Sequence, residues 1–130
     1  MLDRSIMRKL KKITGEKGVL ETPEDLAVYG YDATFADSPP DAVVLPTDTG
    51  QVSRVIILAA DLGIPVIPRG MGSGLAAASV PFEGGILLTL SRMNRILEID
   101  LQNRTVFTEA GVITAILQAE VEKLGLFYPP

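Results

Sequence analysis

Apolar residues return every three or four positions at the start of the chain, at Leu2, Ile6, Leu10 and Ile13, with Asp3, Arg4, Lys9, Lys11 and Lys12 elsewhere around the turn. That spacing predicts an amphipathic helix over 2–14, stopped near Gly15 and docked through its apolar stripe. Val19-Leu20 is a short extended pair. Thr22-Pro23-Glu24-Asp25 has the marks of a second helix start: a capping hydroxyl, proline at the first helical position and acids in the first turn. Gly30 keeps that helix short. Periodicity then disappears through Asp37-Ser38-Pro39-Pro40, which predicts a surface loop. Its tyrosines, Tyr29 and Tyr31, fit ligand contacts and packing onto the core equally well.

Ala42-Val43-Val44-Leu45 is an apolar run ended by Pro46, the pattern of a buried strand. Thr47 or Thr49 is the expected cap of the next helix, whose apolar face is Val52, Val55, Ile56, Ala59 and Leu62, with Gly63 as its stop. Residues 64–68 form a second strand. Together these make a βαβ unit over 42–68 with parallel strands and a right-handed crossover. Residues 86–90 are another strand, and Ser91 to Arg95 a turn. Residues 96–100 and 105–109 flank Leu101-Gln102-Asn103-Arg104 as a hairpin reaching 110. Ile116, Leu117, Val121 and Leu124 predict a last helix over 114–124, ended by Gly125.

Between the second and third strands lies Pro68-Arg69-Gly70-Met71-Gly72-Ser73-Gly74-Leu75, with three alternating glycines. Glycine tolerates positive φ and lets another group approach the backbone. Successive N–H groups so turned form an anion-binding nest, to which Arg69 adds a charge and Ser73 a hydroxyl donor. The loop leaves the carboxyl end of a strand, where ligands of open α/β sheets bind. It is not a Rossmann fingerprint, because the spacing is Gly70-x-Gly72-x-Gly74 and no helical pattern follows. A nucleotide-hydrolase phosphate loop fails as well, since no lysine lies between Lys17 and Lys123.

Composition narrows the chemistry. The chain has 130 residues, 47% hydrophobic and 22% charged, as expected of one small folded domain or part of a larger one. A net charge of −4 with interleaved signs argues against nucleic acid as a partner. Arg8-Lys9-Leu10-Lys11-Lys12 reads as the wet face of a helix. With no cysteine and no histidine, disulfides, a thiolate nucleophile, a His- or Cys-ligated zinc and a Ser-His-Asp triad are excluded within these residues. No apolar run reaches the roughly 20 residues of a membrane span, and the start lacks a signal-peptide core. The expected location is the cytoplasm, with attachment to the inner membrane face through partners as the alternative.

In order and spacing the chain resembles the FAD-linked oxidases of the vanillyl-alcohol oxidase and p-cresol methylhydroxylase (PCMH) superfamily, in the branch that holds the flavin subunit of glycolate oxidase and D-lactate dehydrogenase. The resemblance rests on Thr22-Pro23-Glu24-Asp25-Leu26 with Tyr29-Gly30-Tyr31-Asp32-Ala33-Thr34, on Ala42-Val43-Val44-Leu45-Pro46, on residues 64–75, and on Met93-Asn94-Arg95-Ile96-Leu97-Glu98-Ile99-Asp100. Val80-Pro81 and Glu109-Ala110-Gly111-Val112 fit the same pattern. The resemblance implies an α+β fold, the N-terminal portion of a PCMH-type FAD-binding domain. A βαβ parallel subdomain would be followed by the start of a mixed or antiparallel sheet. It implies non-covalent FAD, held at its diphosphate by Pro68, Arg69, Gly70, Met71, Gly72, Ser73, Gly74 and Leu75. Leu90, Ser91, Glu109, Ala110 and Gly111 would lie at strand ends touching the cofactor; Ser91 and Glu109 read equally as a cap and a surface acid.

The implied reaction takes a hydride from a small 2-hydroxy acid to the flavin and leaves a 2-oxo acid, with other oxidase subunits as partners. This sequence departs from the branch at Ala76-Ala77-Ala78, where a serine and two glycines are usual, and at Ser73, where threonine is commoner. A second glycine-rich segment and a cap domain carrying catalytic residues would follow residue 130, so these residues alone are expected not to perform the redox step. The alternatives are a non-catalytic FAD-binding or subunit-interaction module and an unrelated anion-binding α/β domain. Exposed apolar faces on the hairpin and last helix are expected to make the chain marginally stable or oligomeric.

Overall fold

Apolar strand runs set the architecture. A computed structural model describes residues 2–129, and among them the order is α1 (Arg4–Thr14), a 3₁₀ turn (Glu16–Gly18), β1 (Val19–Leu20), α2 (Pro23–Tyr29), β2 (Ala42–Val44), α3 (Thr49–Leu62), β3 (Val66–Arg69), β4 (Ile86–Thr89), β5 (Ile96–Asp100), β6 (Thr105–Thr108) and α4 (Thr114–Glu122). Four strands form one sheet in the order β1-β2-β4-β3. β2, β4 and β3 run parallel, with Val43 opposite Leu87 and Leu87 opposite Ile67, while β1 is antiparallel to β2.

The expected βαβ strands are parallel, but β4 lies between them rather than beyond. Side-chain chemistry explains the placement. Ile86, Leu87, Leu88 and Thr89 are all buried, as suits a central strand covered on both faces. Pro68 has no N–H to donate and confines β3 to the edge.

Alternation along β2 and β4 divides the core. Ala42, Val44, Ile86 and Leu88 pack with Met7 and Leu10 of α1 and Val55 and Ala59 of α3. Val43, Leu45 and Leu87 face the other way, toward Leu26 and Tyr29 of α2 and Ile67. Thr22 caps α2 as expected, accepting from the Asp25 N–H at 3.2 Å. The α3 cap is Asp48, which accepts from the Gln51 N–H at 2.8 Å, rather than Thr47 or Thr49. Its carboxylate also brings a negative charge to the helix N-terminus, which neither hydroxyl offers. Gly63 ends α3 in the left-handed conformation, φ 64°. On α3, Ile56 and Leu62 lie off the packed stripe and are exposed.

β5 and β6 form a separate two-stranded sheet, joined by 101–104 and disturbed by a bulge between Ile96 and Glu98. Arg104 closes the turn at φ 54°, and Asp100 accepts from the Asn103 N–H at 2.9 Å. α1 begins at Arg4 and α4 ends at Glu122, each two residues inside the predicted bounds. On α4 only Val121 is buried; Ile116 and Leu124 of the predicted stripe are exposed, with Leu97, Phe107 and Phe127 nearby in sequence or sheet.

Candidate functional site

The glycine loop is the connection between two parallel strands that lie side by side. From the carboxyl end of β3 the chain must return to the start of β4, and it does so over residues 70–85 without a helix. Long irregular connections of this kind are usually functional. Its far end is pinned at the strand starts: the Asp41 N–H donates to the Gly85 carbonyl and the Ile86 N–H to the Pro65 carbonyl, both at 2.9 Å. The near end is left open as a concavity of about 310 Å³, bounded by residues 68–74 with Ala78 and Ser79.

Of the three glycines, only Gly72 has a positive φ, 70°. The nest expected from strict alternation is thus a single left-handed kink. A Cβ at Gly72 would fall on the Arg69 guanidinium. Gly70 and Gly74 obey a different constraint. Around a Cβ at Gly70 nothing lies within 4 Å, and at Gly74 the nearest atom is Asp32 Oδ2 at 4.0 Å. The chain itself does not demand glycine at either place; close approach of an external group would. Among the described residues the N–H groups of 70–75 donate to no atom of the chain. This open loop of unclaimed donors fits a diphosphate, whose oxygens accept from several N–H groups at once.

The remaining candidates meet this loop on one ledge. The Leu90 N–H donates to the Arg69 carbonyl at 2.9 Å, joining the end of β4 to the end of β3. Gly111 donates to the Met93 carbonyl at 2.7 Å and is buried so tightly that a Cβ would fall on the Leu90 carbonyl oxygen. Residues 68–75, Leu90 and Gly111 are therefore linked by direct contacts, with Ser91 half-buried beside Leu90 and Ala110 exposed beside Gly111. Pro68, Gly70, Met71, Ser73, Gly74 and Leu75 are exposed and Gly72 is half-buried.

Glu109 is engaged elsewhere: its carboxylate accepts from the Arg95 N–H at 2.8 Å and from Nη2 and Nε of the same side chain at 2.7 and 3.1 Å. The Arg95 side-chain hydrogen bonds, then its backbone N–H, hold the Glu109 carboxyl below its ordinary value. A lowered folded-state value means stability present above about pH 4.5 and lost as the pH falls through the folded value. Glu109→Gln is expected to be less stable than the parent at pH 7, with the gap closing as the pH falls below about 4.5 and through the lowered folded value. Thermal unfolding across a pH series checks this.

Arg69 borders the concavity, but its guanidinium is engaged by the 29–31 segment. It is 8% exposed, its Nη1 donates to the Tyr31 carbonyl at 2.6 Å, and its guanidinium carbon lies 5.8 Å from the centre of the Tyr29 ring. Tyr29 thus packs on the core and Tyr31 contributes its backbone. Sequence reasoning passed over Asp32 and Thr89. Asp32 is buried; its Oδ1 accepts from the Thr34 hydroxyl at 2.6 Å and N–H at 2.8 Å, and Oδ2 has no partner. Thr34, and to a smaller extent the Arg69 charge, hold its carboxyl below the ordinary range. The Ala33 N–H then reaches the Gly74 carbonyl at 3.2 Å. Asp-x-Thr is a turn signal that marks this spot in sequence. Thr89 is the one hydroxyl in the apolar run of β4, and its oxygen is buried without a partner.

Beyond the glycines, Ala77 is held at φ 53°, a conformation that costs an L-residue about 1–2 kcal/mol. Ala77→Gly is expected to raise stability by about 0.5–1 kcal/mol, relief of that strain outweighing the added freedom of the unfolded chain. Urea unfolding measures it.

Residues 40–130 match the family described as FAD binding domain, and the chain belongs to that family, with FAD as its cofactor. It is 38% identical to the glycolate oxidase subunit GlcD of Bacillus subtilis (strain 168), covering 100% of this chain and 28% of that protein. Identity is 35% to the D-2-hydroxyglutarate dehydrogenase of Stutzerimonas stutzeri (strain A1501), over 99% of this chain and 28% of the relative. The chain therefore spans little more than a quarter of the length of these relatives. The solved structure of p-cresol methylhydroxylase with substrate bound superposes with a TM-score of 0.80 over 94% of this chain and 25% of that one; at 24% identity this shows a shared fold. No helix among the described residues is long and apolar enough to cross a membrane, and no cluster of acidic residues among them would hold a metal ion.

Proposed function

We propose that residues 68–75, with the Leu90 and Gly111 ledge, hold the diphosphate of FAD in a flavin-dependent oxidoreductase that converts a small 2-hydroxy acid to its 2-oxo acid. One observation carries the reading: an exposed loop at the carboxyl end of parallel strands offers unclaimed N–H groups, with open space where Gly70 and Gly74 lack a Cβ. When bound, FAD supplies the hydride acceptor. The residues of this chain bind and orient it, without covalent attachment. Substrate contacts and catalytic groups are not assigned to these residues, which cover 28% of the length of the two relatives. The 2-hydroxy acid substrate class follows the relatives named for glycolate and D-2-hydroxyglutarate. A cytoplasmic location accords with this reading.

FAD added to the purified protein should bind saturably, with a change in flavin fluorescence. At about one hundred times its dissociation constant it should stabilise the fold by about 2.7 kcal/mol, or about 10 °C in Tm. Absence of both effects, in this chain and in one continued beyond residue 130, would refute the assignment. A second reading, a subunit-interaction module, draws support from the exposed Leu97, Phe107, Ile116, Leu124 and Phe127. It requires self-association or a stable complex with another oxidase subunit while FAD leaves Tm unchanged.

A further inference from the structure

A buried guanidinium beneath a loop of free N–H groups needs a reason. Arg69 ends an edge strand, where its side chain had solvent within reach, yet it is turned under the loop. Among the described residues it makes no ion pair within 4.0 Å, and Asp32 acts on it only at longer range. Burying a cation without a close counter-charge is costly unless its position does something else. Three contacts fix that position: the Tyr31 carbonyl on one side, the Tyr29 ring on another, and Gly72, which leaves no room for a Cβ, above.

We infer that Arg69 is a positioning residue: the loop is arched over its guanidinium, so Tyr31, Arg69 and Gly72 aim the N–H groups of 70–75 before a diphosphate arrives. This rests on the diphosphate reading of the loop and gives Arg69 a part other than direct charge on the ligand. Order fixed in advance lowers the cost of binding. The hydrogen bond from the Ala33 N–H to the Gly74 carbonyl, at 3.2 Å, closes the arch on the same 29–34 segment that anchors Arg69, and so reports on it.

The test is amide hydrogen exchange on the protein without FAD, in the parent, Arg69→Met and Arg69→Lys. In both variants the Ala33 amide should exchange at least tenfold faster, while β2 and β4 amides keep their protection. Unchanged exchange at Ala33 in Arg69→Met, or full recovery in Arg69→Lys, would overturn the role, because a strut depends on the planar fork and not on charge alone. Should Arg69→Met fail to fold, Gly72→Ala displaces the guanidinium from above and must loosen Ala33 equally; unchanged exchange there also overturns it. FAD affinity is then read against salt. The Arg69 variants should bind about tenfold more weakly with the parent's salt dependence, whereas a flattened dependence would make Arg69 a direct charge contact and reject the strut. A parent protein that binds no FAD would remove the flavin reading, and the Ala33 rates would still decide the part Arg69 plays.

Discussion

Gly72→Val is expected to weaken FAD binding by at least about 100-fold, roughly 2.7 kcal/mol, in any form of the protein that binds the cofactor. Two costs act together. At φ 70° a β-branched residue is strained, and its Cβ falls on the Arg69 guanidinium. Relief requires the loop to lift or the arginine to leave the Tyr31 carbonyl, and either movement redirects the N–H groups. Gly15 is the matched control. It has a similar φ, 83°, but a Cβ there meets nothing within 4 Å, and it lies at the end of α1. Its ψ of 163° places it in a region kept almost entirely to glycine, so Gly15→Ala should lose about 1–3 kcal/mol of stability and leave FAD affinity unchanged. Titration of flavin fluorescence on both variants checks the pair, and normal FAD binding by Gly72→Val would remove the loop from the cofactor site.

Much of the framework was legible because its signals are local. Helical periodicity from Leu2 to Ile13, the Thr22-Pro23 start, Gly63 as a stop and the four-residue hairpin turn each depend on neighbours in sequence, and the structure reproduces them within two residues. Strand order was not legible. That β4 separates β2 from β3 follows from burial on both faces and from the edge placement of Pro68, and these are properties of the assembled sheet. The site divides in the same way. Alternating glycines marked the loop, but nothing local told Gly72, kinked over Arg69, from Gly70 and Gly74, open to solvent. Arg69 looked like a ligand because a charge beside a nest is an obvious anion contact; the Tyr31 carbonyl that claims it is 38 residues away in sequence. Glu109 was balanced between cofactor contact and surface acid, and its pairing with Arg95 across the hairpin engages the carboxylate.

Gly111 separates the stability of the ledge from its chemistry. Gly111→Ala is expected to cost about 3 kcal/mol or more of folding stability, because the new Cβ falls on the Leu90 carbonyl oxygen and lies 2.8 Å from that of Met93. Both obstacles are backbone. No rotamer change makes room, so the 109–112 segment must back away from the end of β4 and give up the 2.7 Å hydrogen bond from Gly111 to Met93. Gly74→Ala meets no atom closer than 4.0 Å and needs no positive φ. Its stability should equal or slightly exceed the parent's, since alanine restricts the unfolded chain more than glycine does. If a diphosphate rests on the loop, FAD affinity should fall in Gly74→Ala all the same, because the added methyl occupies the approach. Urea unfolding and FAD titration on the two variants therefore give opposite patterns: lost stability in Gly111→Ala, lost affinity at full stability in Gly74→Ala. Full stability in Gly111→Ala would mean that Leu90 and Gly111 are not packed against each other, and the shared ledge at the ends of β3 and β4 would not exist.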